Sequence, residues 1–243
     1  MRVEPGAKRV RVYVGGEAVA DTIRPLLVWE VPYYPAYYLP VDDVRMELLA
    51  PTGNTRRSPS RGEGTYFAVK GGDRVAHDAA LRYADSPVKQ LRDHVRFDWD
   101  AVDAVFEEDE EVFIHPRSPD TRVDILHSSR HVQVIVDGVT VADTHRPTIL
   151  YETGLPPRYY VPRTDVRMDL LDATDSRTGC PYKGFARYWN VRAGDAVHED
   201  LAWSYPTPLP ESQKIAGLVA FYNERVDLVV DGERQERPRT PFS

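Results

Sequence analysis

Val132-Gln133-Val134-Ile135-Val136-Asp137-Gly138-Val139-Thr140-Val141-Ala142-Asp143-Thr144 decides the fold of this chain, because it is written twice. Its earlier counterpart is Val10-Arg11-Val12-Tyr13-Val14-Gly15-Gly16-Glu17-Ala18-Val19-Ala20-Asp21-Thr22. In both, valine recurs at every second position before a two-residue Gly-Gly or Asp-Gly break. That alternation puts one face of a strand in a core, and the break is the signature of a tight hairpin whose turn needs positive φ. Extending the match outward, Val10 to Tyr83 pairs with Val132 to Tyr205 without a gap. Arg24-Pro25 recurs as Arg146-Pro147, Tyr37-Tyr38 as Tyr159-Tyr160, and Asp43-Val44-Arg45-Met46 as Asp165-Val166-Arg167-Met168. Beyond Tyr83 the register slips around Ser86-Pro87 and then resumes.

The chain therefore divides into a first repeat over 1–106, a connector over 107–129, a second repeat over 130–233 and a tail over 234–243 that is expected to fray. The connector opens with Glu107-Glu108-Asp109-Glu110-Glu111, a like-charge run that reads as a solvated face. Within each repeat, apolar runs and a Tyr-Tyr-x-Pro segment read as further strands. A short helix is expected after Asp42 or Asp43, and likewise after Thr164 or Asp165 through Leu171. A second helix is expected from Pro210, with Ile215, Leu218, Val219 and Tyr222 at helical spacing. The predicted class is α+β, mainly β: two tandem homologous domains, each a twisted, mostly antiparallel sheet with two short helices.

Composition bounds the function. The 243 residues are 42% hydrophobic and 28% charged, which suits a folded protein and excludes disorder. A net charge of -7 disfavours a nucleic-acid partner. The single cysteine excludes an internal disulfide and a thiolate-rich zinc site and fits a reducing, cytoplasmic setting. No stretch reaches the ~20 apolar residues of a membrane span, so no membrane partner is expected.

Chemistry concentrates in the second repeat, around Cys180-Pro181-Tyr182-Lys183-Gly184. Arg177 and Lys183 flank Cys180 at three residues either side, and cationic neighbours stabilise a thiolate. Competing with this is a small residue that simply packs. Lys183 with Arg146, Arg158, Arg167 and Arg177 offers donors for a phosphate or carboxylate. The competing role for Arg146 and Arg167, which the first repeat shares as Arg24 and Arg45, is to tie loops to the shared aspartates. Tyr160, Trp203 and Tyr205 supply aromatic surface for a planar ligand, or core. Glu152 completes a candidate pocket and is, with Cys180 and Lys183, a candidate catalytic group. No metal site and no cofactor is assigned. His127 and His131 lack a third ligand, and His145 and His198 are the only candidate bases.

Asp143-x-x-Arg146-Pro147, Glu152-Thr153-Gly154-Leu155-Pro156-x-Arg158-Tyr159-Tyr160-x-Pro162, Asp165-Val166-Arg167-Met168, Cys180-Pro181-Tyr182-Lys183-Gly184, Ala202-Trp203-Ser204-Tyr205-Pro206 and Gly217-Leu218-Val219-Ala220-Phe221-Tyr222 together resemble the domain of unknown function 427 family, also labelled nucleotidyltransferase-like. The tandem arrangement is similar to actinobacterial members. The resemblance implies a compact β-rich domain related to the tent-like sheet of methionine sulfoxide reductase B, and no established reaction. The first repeat departs from it: Ser58-Pro59-Ser60-Arg61-Gly62 replaces the cysteine motif, and Leu81-Arg82-Tyr83-Ala84 replaces Trp203 to Pro206. Neither a Gly-Ser with Asp-x-Asp nor a Gly-Lys-Ser/Thr loop is present, and Asp98-Trp99-Asp100 has no counterpart in the second repeat. Three functions follow as alternatives: a small-ligand binding module, an enzyme on a nucleotide-like substrate, and an interaction protein whose repeats mimic a homodimer.

Overall fold

A computed structural model describes residues 1–240 and 242–243. The chain forms two compact units, Met1–Ser118 and Pro119–Ser243. Both are mainly β, and every strand pairing is antiparallel.

Each unit begins with the same pair of layers. The hairpin Val10–Val14 with Glu17–Thr22, and its counterpart Val132–Val136 with Val139–Thr144, turn through two residues of positive φ: Gly15 and Gly16 (59° and 74°), Asp137 and Gly138 (47° and 81°). This is the mirror-image turn whose twist matches that of the flanking strands. The alternating valines Val132, Val134 and Val136 are buried with Val191, Leu201 and Phe221 of the second layer. In the first unit Val10, Val12 and Val14 are buried with Val69, Ala79 and Phe97.

That second layer is built on a long hairpin, Gly62–Gly71 with Leu49–Ser58 and Arg74–Arg82 in the first unit, and Gly184–Ala193 with Leu171–Cys180 and Ala196–Ser204 in the second. Its other face carries a second core. In the second unit this comprises Ile125, Leu150, Tyr160, Ala186, Tyr188, Trp203, Tyr205, Ile215 and Ala220. In the first it comprises Val28, Tyr38, Leu81, Tyr83 and Leu91. Adjacent strand residues point to opposite faces, so Tyr159 packs on one core and Tyr160 on the other, as Tyr37 and Tyr38 do.

Each unit also has a strand that precedes the valine hairpin. Arg2–Pro5 pairs with Leu26–Trp29, and Val123–His127 pairs with Thr148–Glu152. Residues 107–129 are thus shared between the units. Glu107 departs from the expected solvated run: it ends a strand, is 7% exposed, and accepts from Tyr37 Oη (2.8 Å) and from Lys8. Two cationic or hydroxyl donors satisfy a carboxylate that would otherwise not be buried. At the C-terminus, where fraying is expected from composition, Glu233–Arg234 forms a short strand with Val229–Val230. Arg237 donates to Asp227 (2.9 Å) and Thr240 to Glu224 (2.6 Å).

Among the described residues the helical content is 3-10 turns alone. Val41–Asp43 and Arg163–Asp165 stop after three residues because Val44 and Val166 are drawn into isolated bridges with Ala20 and Ala142. Pro210–Ile215 ends before Gly217, whose φ is 69°, and Val219–Phe221 then joins Ala196–Ser204 as a strand. The helical spacing of Leu218, Val219 and Tyr222 is real, but pairing with Ser204 and with Val161 takes Val219 out of any helix. No described helix is long and apolar enough to cross a membrane.

Arg146 holds the Arg163–Asp165 turn. Arg146 forms a fork on Asp165, which also accepts from buried Thr144 (2.8 Å); Arg24, Asp43 and Thr22 repeat the arrangement. Hydrogen bonds from Arg146 and Thr144 hold the Asp165 carboxyl well below its ordinary range. A carboxylate stabilised in this way contributes stability above the ordinary carboxylate pKa and loses it as pH falls through the native value. Asp165→Asn is therefore expected to cost about 1 kcal/mol at neutral pH, after allowing for solvent screening. The deficit should shrink in acid, as denaturant melts across pH will show.

Candidate functional site

The cysteine motif is the turn that joins two strands of the second layer, Leu171–Cys180 and Gly184–Ala193. Cys180 pairs with Gly184, and the Lys183 amide donates to the Cys180 carbonyl (3.2 Å). Gly184 has φ 95°, a conformation few other residues adopt, and the Leu209 amide caps the turn by donating to the Lys183 carbonyl (3.1 Å). The turn is thereby fixed against the second core, with Cys180 half-buried on its edge.

Three other elements meet it. Glu152 ends the strand Thr148–Glu152, Tyr160 ends Arg158–Tyr160, and Trp203 and Tyr205 lie in and just after Ala196–Ser204. Lys183 Nζ donates to Glu152 Oε2 at 2.5 Å, with only 10% and 11% of the two side chains exposed. Burial pulls the Lys183 pKa down, but the neighbouring Cys180 and Glu152 outweigh it, and the ammonium is held above its ordinary value. Lys183 is consequently a fixed positive charge, unsuited to act as a free-amine nucleophile or base. Trp203 Nε1 donates to Tyr160 Oη at 3.4 Å, and the two rings meet edge to face. Burial, with Cys180 and Glu152 nearby, raises the hydroxyls of Tyr160 and Tyr205, so both remain neutral donors.

Six of the sequence candidates thus converge: Glu152, Tyr160, Cys180, Lys183, Trp203 and Tyr205. The arginines are committed to other partners. Arg158 is buried beneath Trp203 (5.7 Å) in a two-pronged pair with Glu224, both contacts at 2.7 Å. Arg146 is exposed on Asp165, and Arg167 is exposed on Asp169 (2.7 Å). Arg177 lies over the Phe185 ring at 4.0 Å on the exposed side of its strand. The candidate bases are also occupied: His198 bonds Asp137 (2.8 Å), and His145 stacks on His131 (4.0 Å).

The sequence did not single out the Arg158–Glu224 pair, whose partners lie 66 residues apart, nor the meeting of His131, Asp143 and His145, whose ligand atoms lie within 4.8 Å of one another. In the first unit the matching positions hold Arg9, Asp21 and Ile23, and Arg9 forks onto Asp21. His131–Asp143, at 2.7 Å, occupies the place of that ion pair.

The same place in the first unit is occupied differently. Glu30, Tyr38, Arg61 and Tyr83 stand where the second unit has Glu152, Tyr160, Lys183 and Tyr205, with Ser58 in place of Cys180 and Leu81 in place of Trp203. The acid–base pair therefore survives the loss of the cysteine motif, as Arg61 Nη2 to Glu30 Oε2 at 3.6 Å. Ungapped alignment of the repeats already places Arg61 opposite Lys183.

Against known families, residues 2–108 and 124–232 each match the model NTP_transf_9, described as a domain of unknown function (DUF427). No curated protein matches the chain.

Proposed function

The chain belongs to the DUF427 family in two tandem copies, and from that premise we propose that its second unit is a binding module for a small planar ligand with a polar edge. The observation that carries this reading is the Glu152–Lys183 pair. It lies almost wholly buried in an aromatic surround, with the protein's one thiol at its margin. Burying an ion pair is costly, and a hydrophobic replacement of the same shape is often as stable, so a pair kept in this position points to use. Glu152 accepts and Lys183 donates, which matches the alternating donors and acceptors of an amide-like edge. Tyr160, Trp203 and Tyr205 suit the flat body of such a ligand. The pair is neutral as a whole, and Arg146, Arg158 and Arg167 are engaged with carboxylates, which favours a neutral ring over a polyanion. A nucleobase or related lactam has this chemistry. A lone thiol of this kind fits a reducing cytoplasm.

A second reading is a thiol-dependent enzyme on a nucleotide-like substrate. It is favoured by one contact, the fixed Lys183 ammonium beside Cys180, which would stabilise a thiolate. One experiment addresses both. Cys180 is alkylated with iodoacetamide across pH and followed by mass spectrometry, with free nucleobases and nucleosides added in turn. Binding predicts saturable protection by one compound, lost in Glu152→Gln. A thiolate role predicts a pH midpoint below that of an ordinary thiol, moved upward in Lys183→Met. If Cys180 reacts only when the protein unfolds, and no compound shifts the melting temperature, both readings fall.

A further inference from the structure

We propose that the first unit carries a separate site for a phosphate-type oxyanion, centred on Arg61 and Arg96. Where Glu152 faces one lysine, Glu30 faces an excess of positive charge. Arg61 Nη2 lies 3.6 Å from Glu30 Oε2, Arg96 Nε lies 3.5 Å from Oε1, and Arg56 is within electrostatic reach of the same carboxylate. The two guanidiniums that lie against this one carboxylate, Arg61 and Arg96, leave the cluster cationic.

Glu30 does not satisfy these donors. Its Oε1 accepts from Tyr38 Oη at 2.5 Å, a hydroxyl that burial and the Glu30 charge keep protonated. Both arginine contacts are in ion-pair range yet too long for good hydrogen bonds. Arg61 Nε and Arg96 Nε are buried without a hydrogen-bond partner, and Tyr83 Oη, although it faces the Arg61 guanidinium, makes no hydrogen bond of good geometry. Arg61 is 6% exposed and Tyr83 0% exposed. Among the described residues, all the buried side-chain nitrogens and oxygens that lack a partner lie in the first unit.

An unpaired buried donor costs about 1–3 kcal/mol, and buried polar groups nearly always have partners. Three such donors around one excess of charge call for a multidentate anionic acceptor. A tetrahedral oxyanion has oxygens enough to meet donors from two arginines and a tyrosine, and guanidinium pairs with phosphate through two parallel bonds. Arg96, with 23% of its side chain exposed, and Glu30, with 12%, mark the open side. The aromatic end of Tyr83 reaches the cluster because Gly64 has no side chain: a Cβ there would lie 2.7 Å from the ring. The matching residue in the second unit is Ala186. The site is independent of the planar-ligand reading, since it uses no residue of the second unit.

The test is calorimetric titration of the full chain at fixed ionic strength, with inorganic phosphate in one arm and glycerol phosphate in the other. Saturable binding is expected in at least one arm, with tighter binding of the ester identifying a phosphomonoester as the natural ligand. Arg96→Gln, at a partly exposed position that should leave the fold intact, is expected to weaken binding about 10–100-fold. Arg57→Gln removes the same charge from an exposed arginine paired loosely with Glu63, at 3.8 Å, and is expected to bind as the parent does. No saturable binding in either arm, or equal weakening by both variants, would overturn the proposal. Neither outcome bears on Cys180 protection in the second unit, so the two readings fail separately.

Discussion

Arg158→Ala is expected to destabilise the second unit by about 3–5 kcal/mol, the largest effect of any single side chain outside the candidate site. Arg158 and Glu224 are 8% and 0% exposed, and the guanidinium meets both carboxylate oxygens at 2.7 Å. Burial by itself would push the Glu224 carboxyl up. Hydrogen bonds from Arg158 and Thr240 outweigh it and hold the group below its ordinary value. Truncating Arg158 leaves that carboxylate buried without its main partner and takes a cation from beneath Trp203 and Tyr222. Arg158→Lys should recover only part of the loss, because one ammonium cannot replace a two-pronged contact. The measurement is denaturant unfolding followed by tryptophan fluorescence with Trp29 and Trp99 replaced by phenylalanine, so that Trp189 and Trp203 report on the second unit. Unchanged unfolding in Arg158→Ala would show that the pair contributes nothing.

Lys183→Met should have a comparable effect at neutral pH, about 3 kcal/mol, but with a pH dependence that distinguishes it. Without the ammonium, Glu152 is a buried carboxyl among aromatic rings, and burial raises its native pKa above the unfolded value. The neutral acid is tolerated, so the variant is most stable below the ordinary carboxylate range and loses stability as pH rises through the raised value. The parent has the ion pair in place and shows no such loss at neutral pH. Lys183→Met with Glu152→Leu removes both charges and should restore most of the stability while abolishing any protection of Cys180. If the double variant is no more stable than the single one, the cost lies in lost packing of the lysine stem. Unchanged ligand protection in the double variant would remove Glu152 and Lys183 from the site.

Repetition and local chemistry were enough, from sequence alone, to establish two β-rich units, because alternating valines and Gly-Gly or Asp-Gly turns impose strands and hairpins with little tertiary help. The same repetition marked Arg146 as scaffold, since its partner Asp165 recurs as Asp43 beside Arg24, whereas Arg167 turns to Asp169, opposite Glu47 in the first repeat, instead of a shared aspartate. Adjacency on a strand was enough to send Tyr159 and Tyr160 to opposite faces. Tertiary structure alone decided what Val219 would do, because a helical spacing yields when a sheet edge offers backbone hydrogen bonds and Gly217 breaks the turn. It also alone decided charge partnership. Nothing in the sequence links Arg158 to Glu224 or Arg96 to Glu30, because ion pairs depend on proximity through space, and strands from distant parts of the chain supply their members. The burial that makes those pairs consequential comes from the second core, which exists only once the long hairpin of each unit has packed its far face.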